Sequence, residues 1–291
     1  MREIKLITNC ERAPNWLMDI AVKHWLDSGF KPENLIFLVN NLSSFDMVAE
    51  LKERYNIDAT RVQSADDIYR KDQCVVWDDL QEFDYGRYHD IEAPIINTVQ
   101  HKLLDNGVDV VIFLDRDELL WHESGDLINV LNTFTEPIIR PRGIEVIQTG
   151  DEPSLDITKS IAEQRKWCRW FPSKSKACIT RIPVDWMIGR HGTLCRRWPH
   201  ADALHHPELQ THPEANISEY PGLFLVHFDK VDMNLLYKLR IESQELFKTN
   251  DRHTGVVDEQ SFTKWFTEAH RETIPDRVMY DCGDFIKRVR V

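Results

Sequence analysis

The 291-residue sequence has six cysteines but no CxxC pair. That absence excludes a zinc-knuckle pattern and gives no sign of a disulfide framework, so the expectation is six reduced thiols. No window approaches the roughly 20 apolar residues needed to cross a bilayer. The opening MREIKLITNCERAPNW lacks an apolar signal-type core, so no membrane span and a cytoplasmic location are expected. Positive charge is in short supply: 36 Lys and Arg stand against 48 Asp and Glu, a formal net charge of -12. Nucleic acid and anionic membrane surfaces are thereby excluded as main partners, and an anionic substrate would need a metal or a few placed cations. Internal repeats, low-complexity tracts and linkers are missing too, so residues 1–291 read as one domain.

What the chain does contain is alternation. IKLIT (Ile4 to Thr8) is a short apolar strand, and Pro14 opens a helical pattern that buries Trp16, Leu17, Ile20, Ala21 and Trp25 before stopping at Gly29. LIFLVNN (Leu35 to Asn41) is a second buried-type strand, followed by a helix that Ser43 and Asp46 can cap. Residues 66–88 read as polar and irregular. A helix carrying Ile95, Ile96, Val99 and Leu103 then ends at Asn106-Gly107. This order predicts an α/β fold with a mixed, mostly parallel central sheet flanked by helices. Further strands are expected at 137–147, 177–182 and 223–228, and two closing helices around Leu235 to Leu246 and Phe262 to Phe266.

The most informative segment is VDVVIFLDRDELLW, Val108 to Trp121, an apolar strand that ends in Asp115, Arg116, Asp117 and Glu118. Side chains alternate along a strand, so Asp115 and Asp117 are expected on one side and Arg116 on the other. Two such carboxylates repel unless a cation lies between them. Mg²⁺ or Mn²⁺ is the natural occupant, and such ions commonly take phosphate oxygens as further ligands. Ordinary solvated turn residues are the plain alternative. A haloacid-dehalogenase-like phosphatase shares the Asp-x-Asp after an apolar strand, and GDEPSLD (Gly150 to Asp156) mimics its later metal loop. That loop arrives too early, however, and Leu119 stands where a Thr belongs.

VVIFLDRDELLW resembles the FLDxDEFL signature of GT-A-fold glycosyltransferases of the family 2-like group, including the galactan-synthase-like branch. TNCERAPNWLMDIAVKHWLDSGF, LIFLVNNLSSFD, KACITRIPVDWMIGRH and LFLVHFDKVDMNLLYKLR resemble other segments of that group, in the same order, over most of Ile4 to Glu245. The chain departs from the pattern at Phe228, where Tyr is usual, and at Val231-Asp232, where Ser is common. The resemblance implies a GT-A, Rossmann-like fold whose first part (about 1–125) binds nucleotide-sugar and metal and whose second (about 126–291) binds acceptor. It implies a metal-dependent transferase moving a single hexosyl or pentosyl unit from a nucleotide-sugar donor to a glycan or glycolipid acceptor, with inversion. A catalytically silent nucleotide-sugar-binding protein is the further alternative.

Site residues follow from the same resemblance. Asp115 is expected to face sugar and ribose and to share the Mn²⁺ or Mg²⁺ with Asp117, with His227 as third ligand and His191 as its alternative. Asn9 and Glu11, after the first strand, and Asn40 and Asp46, after the second, fall where the family puts nucleobase and ribose contacts; capping is the rival role for Asp46. Lys176 is placed to meet the diphosphate. Asp185 is the expected base for the acceptor hydroxyl, with Glu145 as its rival. Trp167, Trp170, Trp186 and Trp198 are candidates to hold acceptor sugar rings.

Overall fold

The computed structural model describes residues 1–9, 15–40, 53–54, 59–62, 74–77, 85–148, 152–156, 158–159, 161–165, 167–170, 174–186, 193–194, 217–232, 234 and 279–281. Its centre is a sheet begun by β1 (Ile4–Asn9) and β2 (Leu35–Asn40), joined by helix α1 (Asn15–Asp27). Gly29, with φ of 97°, takes the left-handed conformation that ends α1 and turns the chain toward β2. Buried Leu17, Ile20, Ala21 and Trp25 form the inward face of α1, as their spacing requires.

β3 (Ala59–Val62) and β4 (Cys74–Trp77) add to the far side of β2, and helix α2 (Tyr85–Asp105) leads into β5 (Val110–Leu114). The stretch expected to be irregular therefore holds both a strand, β4, and the first turn of α2. CVVW gives no strand signal in the sequence because four apolar residues between polar runs carry no periodicity to read. Of the helix around residues 43–55 only Glu53 and Arg54 are described, both helical, and the stretches expected to form the two closing helices lie outside the described residues.

In the order β3-β4-β2-β1-β5 every neighbouring pair is parallel. β5 is buried along its whole length, as a parallel strand covered on both faces must be. Beyond β5 the direction changes. β9 (Ile179–Thr180) runs antiparallel to β5 and to β7 (Ile138–Ile147), and β7 continues antiparallel to β8 (Trp167–Trp170), which pairs with β13 (Met279–Asp281). The sheet is thus mixed, parallel in its first half and largely antiparallel after it.

β6 (Glu118–His122) and the 14-residue β12 (Ile217–Lys230) complete the sheet. β12 lies antiparallel to β6 and parallel to β7. Pro221-Gly222 reads as a break in the sequence, yet the strand continues through it. Gly222 adopts φ of 72°, a left-handed conformation that glycine takes without strain and other L-residues rarely adopt.

A short helix, α3 (Leu127–Thr133), follows β6, and its last carbonyls are taken by arginine: Arg2 Nη1 donates to Leu131 O at 3.3 Å. The four-residue α4 (Ile161–Gln164) is followed by Arg165, which has no solvent exposure and ties loop to strand. Arg165 donates to Val231 O at 2.6 Å and Pro153 O at 2.9 Å, with Asp232 3.6 Å from its guanidinium. Burial lowers its pKa, and the charges of Glu152 and Asp232 oppose that. The expectation of six reduced thiols fails at Cys168 in β8, which is disulfide-bonded; no local spacing marks that bond. Among the described residues no helix is long and apolar enough to cross a membrane.

Candidate active site at the end of the fifth strand

β5 stops at Leu114, so Asp115, Arg116 and Asp117 are not strand residues. They form a turn closed by the Glu118 N–H donating to Asp115 O at 3.0 Å, after which β6 begins at Glu118. Strand alternation therefore does not set the directions of Asp115 and Asp117; turn geometry does. The turn is anchored across the sheet by the Phe228 N–H, which donates to Asp117 O at 3.0 Å. Its location is specific. β2 lies on one side of β1 and β5 on the other, so the crevice between the carboxyl ends of β1 and β5 is the switch point of the parallel half, where such sheets take ligands.

Register explains what meets the turn. Ile179 pairs with Ile112 and Thr180 with Val111, and Phe113 N donates to Cys178 O at 2.8 Å. Each step back along this antiparallel segment is a step forward along β5, which brings Lys176 opposite Asp115. The Ser175 hydroxyl accepts from Gly143 N at 2.9 Å and pins the segment to β7. Lys176 Nζ lies 2.6 Å from Asp115 Oδ2 and is also in direct contact with Glu118 Oε1. One ammonium thus serves two carboxylates, of which Glu118 is 1% exposed and Asp115 26%. The other Glu118 oxygen accepts from the Asp115 N–H at 2.9 Å, so Glu118 holds the turn in shape through both oxygens.

The same register logic gives a row of polar residues beneath the turn. His227 in β12 pairs with Glu118 in β6 on one side and with Glu145 in β7 on the other, and residues so paired project to one face. His227 Nε2 donates to Lys174 O at 3.0 Å, and Nδ1 lies 3.4 Å from Glu118 Oε1. Glu145, with no exposure, accepts from Lys230 Nζ at 2.7 Å. Buried carboxylates need such partners, and both have them.

Other expected site residues are distributed as follows. Asn9 and Asn40 end β1 and β2, paired with Leu38 and Trp77 respectively. Glu11, Asp46 and His191 lie outside the described residues. Asp185 sits in β10 (Asp185–Trp186), which pairs with β11 (Thr193–Leu194). It is gripped by α2: His101 Nε2 lies 3.1 Å from Asp185 Oδ1 and 2.8 Å from Val184 O. Gln100 and Asn97 bond the backbone of Val184 and Trp186. This grip lies in the last turns of α2. Trp186, a candidate for sugar stacking, is 2% exposed and packs against Phe113 with ring centroids 6.2 Å apart.

The donor set is compatible with a hard cation at Asp115 and Asp117. Both are carboxylates on a partly exposed turn, and Mg²⁺ and Mn²⁺ sites often use one or two carboxylates together with waters and substrate phosphates. A three-residue set with His227 is a different matter, because both ring nitrogens of His227 face protein oxygens. Among the described residues no three His, Cys, Asp or Glu side chains converge as a metal cage. Glu118, by its type and place expected to orient the loop, does hold the turn; what sequence reasoning missed is Lys176 as its counter-ion, because a pairing across 58 residues leaves no local pattern.

No family model matches the chain, and no curated protein does. Among solved structures, similarity is found to S. aureus TarS. A crystal structure of its residues 1–349 gives a TM-score of 0.31 at 11% identity over 62% of this chain and 47% of that one. A longer TarS structure gives 0.36 at 9% identity over 93% and 43%. The 1–349 fragment in complex with UDP-GlcNAc gives 0.35 at 11% over 94% and 73%. The chain thus spans less than half the length of the first two, and likeness at this level carries no argument about activity.

Proposed function

We propose that the protein is a glycosyltransferase that takes a sugar from a nucleotide-sugar donor at the crevice between β1 and β5. The observation that carries this reading is the Asp115–Glu118 turn at the switch point of the parallel half, in a segment that resembles the FLDxDEFL signature. Asp115 and Asp117 would hold a divalent cation, which supplies neutralisation of the charge growing on the departing nucleotide diphosphate. Glu118 keeps the turn in the shape that presents them, through the Asp115 N–H and the Lys176 ammonium. Lys176 places a positive charge beside Asp115, within reach of the phosphates. Asn9 ends β1 at that crevice and Asn40 ends the neighbouring β2, and by the resemblance the two would contact base and ribose. Glu145 is bound to Lys230 and has no solvent exposure, which makes it a poor base. The acceptor is a glycan or glycolipid, and transfer proceeds with inversion.

Calorimetry against nucleoside diphosphates and nucleotide-sugars, UDP-GlcNAc first, with Mn²⁺ and with EDTA, tests the reading. Metal-dependent binding of one nucleotide is the expected result; no binding under any condition would sink it. Asp117→Ala is expected to abolish metal-dependent sugar transfer, and full transfer by this variant would remove Asp117 from the metal site.

A further inference from the structure

The Lys176 ammonium lies 2.6 Å from Asp115 Oδ2, one of the two oxygens that a metal held by Asp115 could use. We infer that Lys176 is a resident cation which competes with the divalent metal for Asp115 and so sets the affinity of the site for metal. This inference rests on the assignment of Asp115 and Asp117 as the metal-holding pair.

Three observations carry it. Lys176 Nζ lies 2.6 Å from Asp115 Oδ2. Its second anchor, Glu118, is itself fixed by the Asp115 N–H at 2.9 Å and faces His227 Nδ1 at 3.4 Å, so the ammonium has a buried holding point beside the exposed carboxylate. Finally, the Lys176 side chain is only 10% exposed, so water screens it weakly. A divalent ion on Asp115 would then sit within a few ångströms of a fixed positive charge. It either binds against that repulsion or makes Lys176 release Asp115 and stay with Glu118. Both routes weaken binding of metal alone. A diphosphate arriving with the metal changes the balance, because its oxygens offer the released ammonium a new partner.

The test is the Mn²⁺ dissociation constant, measured by calorimetry without nucleotide, for the full chain and for the double variant K176M/E118Q. The double variant removes one charge of each sign, so net charge is unchanged, and it avoids leaving Glu118 buried without its counter-ion, which would threaten the fold of K176M alone. It is expected to bind Mn²⁺ about tenfold more tightly or better. An equal or weaker constant, or no Mn²⁺ binding by either protein, overturns the inference. Failure of the glycosyltransferase reading has a different signature: the double variant tightens on Mn²⁺ while the wild-type chain binds no nucleotide-sugar with or without the metal.

Discussion

Two lysine–carboxylate contacts flank His227, and they differ in exposure. Lys230 bonds Glu145, with the carboxylate fully enclosed. Lys176 contacts both Glu118, equally enclosed, and Asp115, about a quarter exposed. The first contact lies inside the sheet, where a structural ion pair belongs. The second reaches a turn at the mouth of the parallel sheet. A partly exposed carboxylate held by a buried partner is the arrangement from which a binding site can be made.

Three experiments sharpen that contrast. The largest effect should come from Lys230→Met, which takes the Lys230 ammonium away from the fully buried Glu145; chemical denaturation is expected to show a loss of about 3–5 kcal/mol, largely recovered in the double variant K230M/E145L. A small effect in the single variant would mean that Glu145 finds other partners. Asp115→Asn should do the opposite, leaving the denaturation midpoint nearly unmoved while sugar transfer falls about 100-fold or more, the scale on which single charge-stabilising groups act. If stability falls and transfer does not, the two pairs have the same role. The smallest effect separates both from burial as such. His24 in α1 is buried, its Nε2–H donating to Leu120 O at 2.7 Å, and burial lowers its pKa below the ordinary 6.5. The unfolded chain therefore takes up a proton that the folded one resists, so stability should fall as pH drops below about 6.5, by at most about 1.4 kcal/mol per pH unit. His24→Gln keeps an amide donor, and its stability curve should be flatter between pH 6.5 and 5; a curve that superimposes on wild type would show that His24 contributes no such slope.

Much of the first half of the fold is legible in the sequence, because a parallel sheet covered on both faces imposes continuous apolar strands and helix stops at Gly29 and Gly107. β1, β2, β5 and α1 all announce themselves this way. β6 does not: ELLWH begins inside the acidic motif, and its strand character depends on pairing with β12 a hundred residues later. The acids of the turn are readable by type, but their setting is not. Alternation was the wrong rule for residues 115–117 because the strand had already ended, and the lysine that bridges Asp115 and Glu118 comes from a distant segment. The partners of Asp185 escaped for a related reason. A loop residue's position is decided by what grips it, here Asn97, Gln100 and His101 on one helix, and side-chain grips of that sort carry no period.

The insertion of β12 between β6 and β7 also has a consequence for biosynthesis. Among the described residues β6 pairs with no strand but β12, and the two are separated by about a hundred residues of chain. Until the ribosome has passed residue 230, β6 is an unaccompanied edge and Glu118 lacks the strand that carries His227. Closing so long a loop is slow, and unpaired edges are where growing chains stick to one another. The acidic turn is thus among the last parts of the molecule to be completed, and chains that stop short of β12 should gather in the insoluble fraction.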